Sequence, residues 1–221
     1  MFEGYSQETV DFMWGIRFNN ERGWFLDHKE DYQKYLLEPT KALAAQVYEG
    51  LQQKLPREPL MMKVSRIYRD ARRLHGRGPY KDHLWFAIRT GDENWQGRPT
   101  FFFEIAPDYY SYGLGFWCAK SAAMEQYRRA IAADPRALEK IDRSVKRHHH
   151  FQLTGEDYAR PKPSPSEALQ PWVQKKHLSV HFEEPLDERI FHPELATELI
   201  DQLGELVPLY RYLAKICAAM E

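Results

Sequence analysis

An α+β fold is predicted for this 221-residue chain on three observations. Its strand-forming runs are grouped in the middle. Segments with helical spacing of apolar residues precede and follow them. The two strongest strand runs are separated by Pro107-Asp108 alone, so they must pair antiparallel. Strands in a block with helices at both flanks favour α+β over the alternating α/β arrangement.

Ser6 is placed to cap a first helix on which Val10, Met13, Trp14 and Phe18 recur at helical spacing. After a break at Asn19-Asn20, Asn20 is expected to cap a second helix carrying Trp24 and Phe25. From Asp31 the pattern continues through Tyr32, Tyr35, Leu36, Leu43, Val47 and Leu51. Pro39 should kink that helix or begin a new one, and the Pro56–Pro59 stretch ends it.

Met61–Tyr68 and Leu84–Thr90 read as strands. Beyond the polar, turn-rich Gly91–Pro99, the run Thr100–Ala106 sets Phe101, Phe103 and Ile105 against Phe102 and Glu104. Tyr109–Cys118 sets Tyr110, Tyr112, Leu114, Phe116 and Cys118 on one face. Tyr109, Ser111, Gly113, Gly115 and Trp117 take the other. These two runs should form a hairpin. The glycine face leaves a shallow strip that a helix, a ligand or a neighbouring backbone can approach.

Helices resume at Ser121, with Met124, Tyr127, Arg128 and Ile131, and Pro135 starts another through Val145. Phe151–Leu153 is a short candidate strand, Thr154–Asp157 a turn, and the proline-rich Arg160–Pro165 an extended connector. Ser166 caps a helix through Trp172. His177–Glu183 turns Leu178, Val180 and Phe182 inward. The last segment, Pro193–Met220, is one long amphipathic stretch on Leu195, Leu199, Leu203, Leu206, Tyr210 and Leu213.

Hydrophobic residues at 43% and charged residues at 29% are ordinary for a globular protein, and the length suits one domain over residues 1–221. Six Trp and thirteen Tyr supply aromatic core layers or a ligand groove. Cys118 and Cys217 form no CxxC pair and suit a reducing cytosol. Met1–Tyr5 lacks the basic region and apolar run of a signal peptide. The apolar tail carries Glu205, Arg211 and Lys215, which excludes a membrane span there. A cytoplasmic protein without a membrane partner is expected.

Charge is concentrated in one place. Between Lys63 and Lys81, seven basic residues (Lys63, Arg66, Arg69, Arg72, Arg73, Arg77, Lys81) stand against one acid, Asp70, a local charge of +6. The whole chain carries −1, so the rest sums to −7. Such a patch implies an anionic partner, or an arginine network answered by acids elsewhere.

At this stretch the chain resembles a bacterial family known as domain of unknown function 2461. Its signature is RxxRDxRF, then a short spacer, an acid–lysine pair and a tyrosine. Arg66, Arg69, Asp70, Arg72 and Tyr80 match. The resemblance extends to Asn20, Trp24-Phe25, Tyr32 and Pro39 upstream, and to Tyr109–Trp117 and Tyr127–Ile131 downstream. Arg73 replaces the signature phenylalanine and Gly76-Arg77 the acid–lysine pair, so one carboxylate is missing. The resemblance implies a compact bacterial α+β protein of similar length and brings no activity with it.

Guanidinium groups match carboxylate and phosphate geometry. Arg66, Arg69 and Arg72 would therefore bind a small phosphate- or carboxylate-bearing ligand, with Asp70 orienting one of them. Arg77, Tyr80 and Lys81 would form the rim. Gly76–Pro79 permits an anion-binding nest as well as an ordinary turn, and lacks the P-loop ending. His148–His150, with His75 and His83, lacks metal-ligand spacing, so neither metal nor cofactor is expected. Nucleic-acid binding through the basic segment, with Tyr80, Trp85 or Trp95 stacking on bases, is the rival reading. A pI of 6.8 weighs against it. A third reading leaves the arginines paired within the chain, in a structural or partner-binding protein.

Overall fold

The computed structural model describes residues 1–70, 72, 74, 76, 78–91, 97–117, 121–147 and 150–219. Arg73, His75, Arg77, Trp95, Cys118, His148 and His149, singled out above, lie outside them. The middle of the chain forms a six-stranded antiparallel sheet. Its strands are β1 (Leu60–Val64), β2 (Leu84–Thr90), β3 (Thr100–Ile105), β4 (Tyr109–Phe116), β5 (Gln152–Thr154) and β6 (Leu178–Pro185). The spatial order is β1-β2-β3-β4-β6-β5. The expected hairpin is present as β3–β4, with Phe103 opposite Tyr112. The fold is α+β.

Alternation along each strand separates two faces. Leu84, Phe86 and Ile88, with Phe101, Phe103 and Ile105, point to the core, as do Tyr110, Tyr112, Leu114 and Phe116, and Leu178, Val180 and Phe182. None of these is more than 5% exposed. Burying a side chain of this size contributes about 1.5–3 kcal/mol, which makes this face the main source of stability.

Helices α4 (Glu38–Lys54), α8 (Glu194–Glu205) and α9 (Val207–Ala218) pack on the core side. Tyr210 of α9 stacks on Phe101 at 4.9 Å between ring centres and donates its hydroxyl to Thr90 Oγ1 at 3.0 Å. Gln202 of α8 accepts from the Tyr112 hydroxyl. Helices α5 (Ser121–Ala133) and α6 (Pro135–Arg147) follow the hairpin, and the short α7 (Gln170–Val173) precedes β6.

Prolines shape both helical ends of the chain. The segment α3 (Lys29–Asp31) continues as a π-helix over Tyr32–Leu37 and then as α4. Pro39 has no N–H for the Tyr35 carbonyl four residues back. Thr9 of α1 (Gln7–Phe18) donates its hydroxyl to that oxygen at 2.5 Å, tying the two helices together.

The long C-terminal stretch is not continuous. It breaks at Leu206 because Pro208 cannot bond the Gly204 carbonyl, so α8 ends at Glu205 and α9 begins at Val207. The second helix, α2 (Arg22–Asp27), starts after Glu21 and not on an Asn20 cap. No helix among the described residues is long and apolar enough to cross a membrane.

Candidate functional site

Among its described residues the basic segment forms neither an α-helix nor a full strand. The strand expected over Met61–Tyr68 ends at Val64, and the chain continues as an extended edge. Arg69 N donates to Pro79 O at 2.8 Å and Lys81 N to Ile67 O at 2.7 Å, around the Tyr68–Tyr80 bridge. Arg66, Arg69 and Arg72 therefore share no helix face.

Asn20 locks this pairing. Its Nδ2 donates to Tyr80 O at 2.9 Å and its Oδ1 accepts from Tyr80 N at 3.0 Å. Gly78 has to be glycine here, because a Cβ would collide with the Asn20 side chain. Asn20, expected as a helix cap, is the clamp of the basic segment.

The signature residues part company. The Asp70 carboxylate accepts from Arg72 Nε at 3.0 Å and Nη2 at 2.8 Å, and the Arg72 side chain is 88% exposed. Arg66 is exposed. Arg69 donates through Nε to Tyr80 O at 2.7 Å, and its Nη2 lies 3.8 Å from Asp82 Oδ1. The acid that orients Arg69 is thus Asp82, not Asp70. The Tyr80 ring is buried and stacks on Phe25 at 4.3 Å, so it belongs to the core.

Asp82 also accepts from Arg17 Nε at 2.6 Å and bonds His83 Nδ1 at 3.0 Å. Arg17 closes the network with a two-pronged contact to Asp108, both distances 3.1 Å. The bonds from His83 and Arg17 hold the Asp82 carboxyl well below the usual carboxylate range against the opposing effect of burial. Arg17, Asp82 and Asp108 were not singled out from the sequence. Asp82 lies one residue past the basic stretch, and that adjacency was the signal available.

The outward face of the sheet offers a different kind of site. Strand register places its side chains in rows. One row runs Arg89, Thr100, Gly115, Ser179, Thr154, the next Lys63, Ala87, Phe102, Gly113, His181, and a third Trp85, Glu104, Ser111, Glu183. Trp117 folds back over Gly115, where a Cβ would collide with the indole. Its ring meets Phe102 edge-on at 4.8 Å. The glycine strip thus makes room for the chain's own indole.

Beside that indole lies a cavity of about 320 Å³ walled by Trp85, Ala87, Phe102 and Trp117, with Lys63, Arg89, Thr100 and Glu104 around it. Lys81 lies beside the Trp85 wall, with Nζ 5.4 Å from the centre of that ring. Burial, reinforced by Arg69 and Arg66, pushes the Lys81 ammonium down to about 8, while Glu104 acts in the opposite sense. Glu104 accepts a hydrogen bond from the Tyr109 hydroxyl, whose pKa is raised chiefly by burial. Of the residues expected at the anion site, Lys81 lies beside the cavity's Trp85 wall. Arg66 and Arg69 act on it through their field.

An antiparallel sheet with one face under helices and an aromatic trough on the other defines the class of the molecule. A family model described as a conserved hypothetical protein, DUF2461, matches residues 8–212, and the chain belongs to that family. No curated protein matches the chain.

Proposed function

We propose that this protein binds a small amphiphilic anion on the outward face of its sheet. A flat apolar body would lie against Phe102, Trp85 and Trp117, and the acid group would meet Lys63 and Lys81. The observation that carries this reading is an aromatic-walled cavity with Lys63 in its lining and Lys81 beside its Trp85 wall. A concave, mainly apolar pocket framed by a few charged groups is the form that small-molecule sites usually take.

Magnitudes make the charge part of the claim. Burying about 150–250 Å² of arene contributes about 4–6 kcal/mol. Losing translational and rotational freedom costs about 4–15 kcal/mol, so the ring alone at best breaks even and the lysines decide affinity. The arginine segment is a weaker candidate, because Arg69 and Arg72 already face Asp82 and Asp70 and Tyr80 is internal. The same burial of Tyr80 disfavours nucleic-acid stacking there.

Titration with anilinonaphthalene sulfonate or naphthalene carboxylate, read by fluorescence and thermal shift, tests the reading. Saturable binding is expected, weakened about tenfold by Lys81→Met or Lys63→Glu, with no stabilisation by inorganic phosphate alone. Stabilisation by phosphate alone that disappears in Arg69→Ala would return the site to the arginine segment.

A further inference from the structure

Beyond Trp117 the outward face dips into a second recess of about 210 Å³, which shares Phe102, Glu104 and Trp117 with the first. Ser179 lies on its floor between Gly115 and Thr154 in the row described above. This serine is 5% exposed, and its hydroxyl oxygen has no hydrogen-bond partner among the described residues. A buried hydroxyl left unsatisfied costs stability, about 1–3 kcal/mol, so one kept on a cavity floor calls for a ligand.

The surroundings define that ligand's chemistry. His181 sits one row on, with Nδ1 3.3 Å from Thr154 Oγ1, and burial lowers its pKa, so the imidazole is neutral at neutral pH. Glu104 and Glu183 flank the recess in the third row. Two carboxylates beside neutral partners favour groups that donate hydrogen bonds. The outward face is therefore polarised, basic at β1 and β2 and acidic over β3 and β6. Three inter-strand steps of about 4.8 Å separate β2 from β6, a span of about 14 Å.

We infer that Ser179 and Glu183 form a second subsite of the same groove, taking a hydroxyl or ammonium at the end of the ligand remote from its acid. This rests on the groove reading above. With about 2.8 Å for a hydrogen bond at each end of that span, the ligand class narrows to a flat molecule about 9 Å long, anionic at one end and hydrogen-bond-donating at the other.

The test compares naphthalene carboxylate with two derivatives that carry a hydroxyl or an aminomethyl group on the far ring. In the parent protein at least one derivative should bind about tenfold tighter than the plain acid. Ser179→Ala should remove the hydroxyl advantage and Glu183→Gln the ammonium advantage, both leaving the affinity for the plain acid unchanged. The melting temperature of Ser179→Ala should hold or rise, because the variant loses an unsatisfied buried group. If the plain acid binds and neither derivative improves on it, or if the advantage survives both substitutions, the subsite inference is overturned and the groove stands. If none of the three binds, the groove reading fails and takes the subsite with it.

Discussion

Asn20 holds the backbone of Tyr80 with both ends of its amide, and Arg69 adds a second donor to the same carbonyl. Asp70 and Arg72, by contrast, pair at the surface. The two contacts differ in consequence. Asn20→Ala leaves a backbone donor in a partly buried place and should cost about 2 kcal/mol. Asp70→Ala removes an exposed pair and should cost about 0.5 kcal/mol or less. Chemical denaturation of the two variants measures both. A larger loss for Asp70→Ala than for Asn20→Ala would mean that the signature acid, and not the asparagine, organises the segment.

At the scale of elements, Arg17 on α1 reaches Asp82 before β2 and Asp108 in the β3–β4 turn, joining three pieces far apart in sequence. The bonds from His83 and Arg17 hold the Asp82 carboxyl well below the usual carboxylate range in the folded state. A depressed pKa contributes stability that is fully present above the unfolded value and is lost as pH falls through the folded one. Asp82→Asn should therefore cost about 2 kcal/mol near neutral pH. The gap from the parent should narrow as the pH drops below about 4. Urea melts across that range check it, and a gap independent of pH would contradict the ion network.

The strands were legible because period-two alternation of aromatics is a local signal, and Thr100–Ile105 and Tyr109–Phe116 fell where it placed them. The break at Leu206 was less so, because the amphipathic period runs through it and only Pro208 marks it. The site was least legible. Lys63, Trp85, Phe102, Trp117 and Ser179 come from five strands or strand ends, and their convergence depends on register, which periodicity does not supply. The clustered arginines were conspicuous in sequence because they are adjacent. Arg69 meets Asp82 just past the cluster, and Arg17 and Asp108, which complete the network around Asp82, come from distant parts of the chain.

Over the whole molecule, a chain with a net charge of −1 concentrates its positive field at one edge of an open sheet face. Burial, aided by the charges of Arg69 and Arg66, keeps Lys81 close to its titration point, near 8, beside the Trp85 ring. Lys81 is charged below that value and offers an anion its full attraction. As pH rises through it the charge is lost. Affinity for naphthalene carboxylate should therefore be flat below about pH 7 and fall above about pH 8, and Lys81→Met should flatten the profile. A profile unchanged by that substitution would remove Lys81 from the site.

The most direct test of the central claim is a crystal structure of the protein with a brominated naphthalene carboxylate, located by the anomalous signal of bromine. A bromine peak is expected on the outward face, in the cavity walled by Trp85, Phe102 and Trp117, with the carboxylate toward Lys63 and Lys81. A peak beside Arg66, Arg69 and Arg72, with the aromatic trough left to solvent, would contradict it.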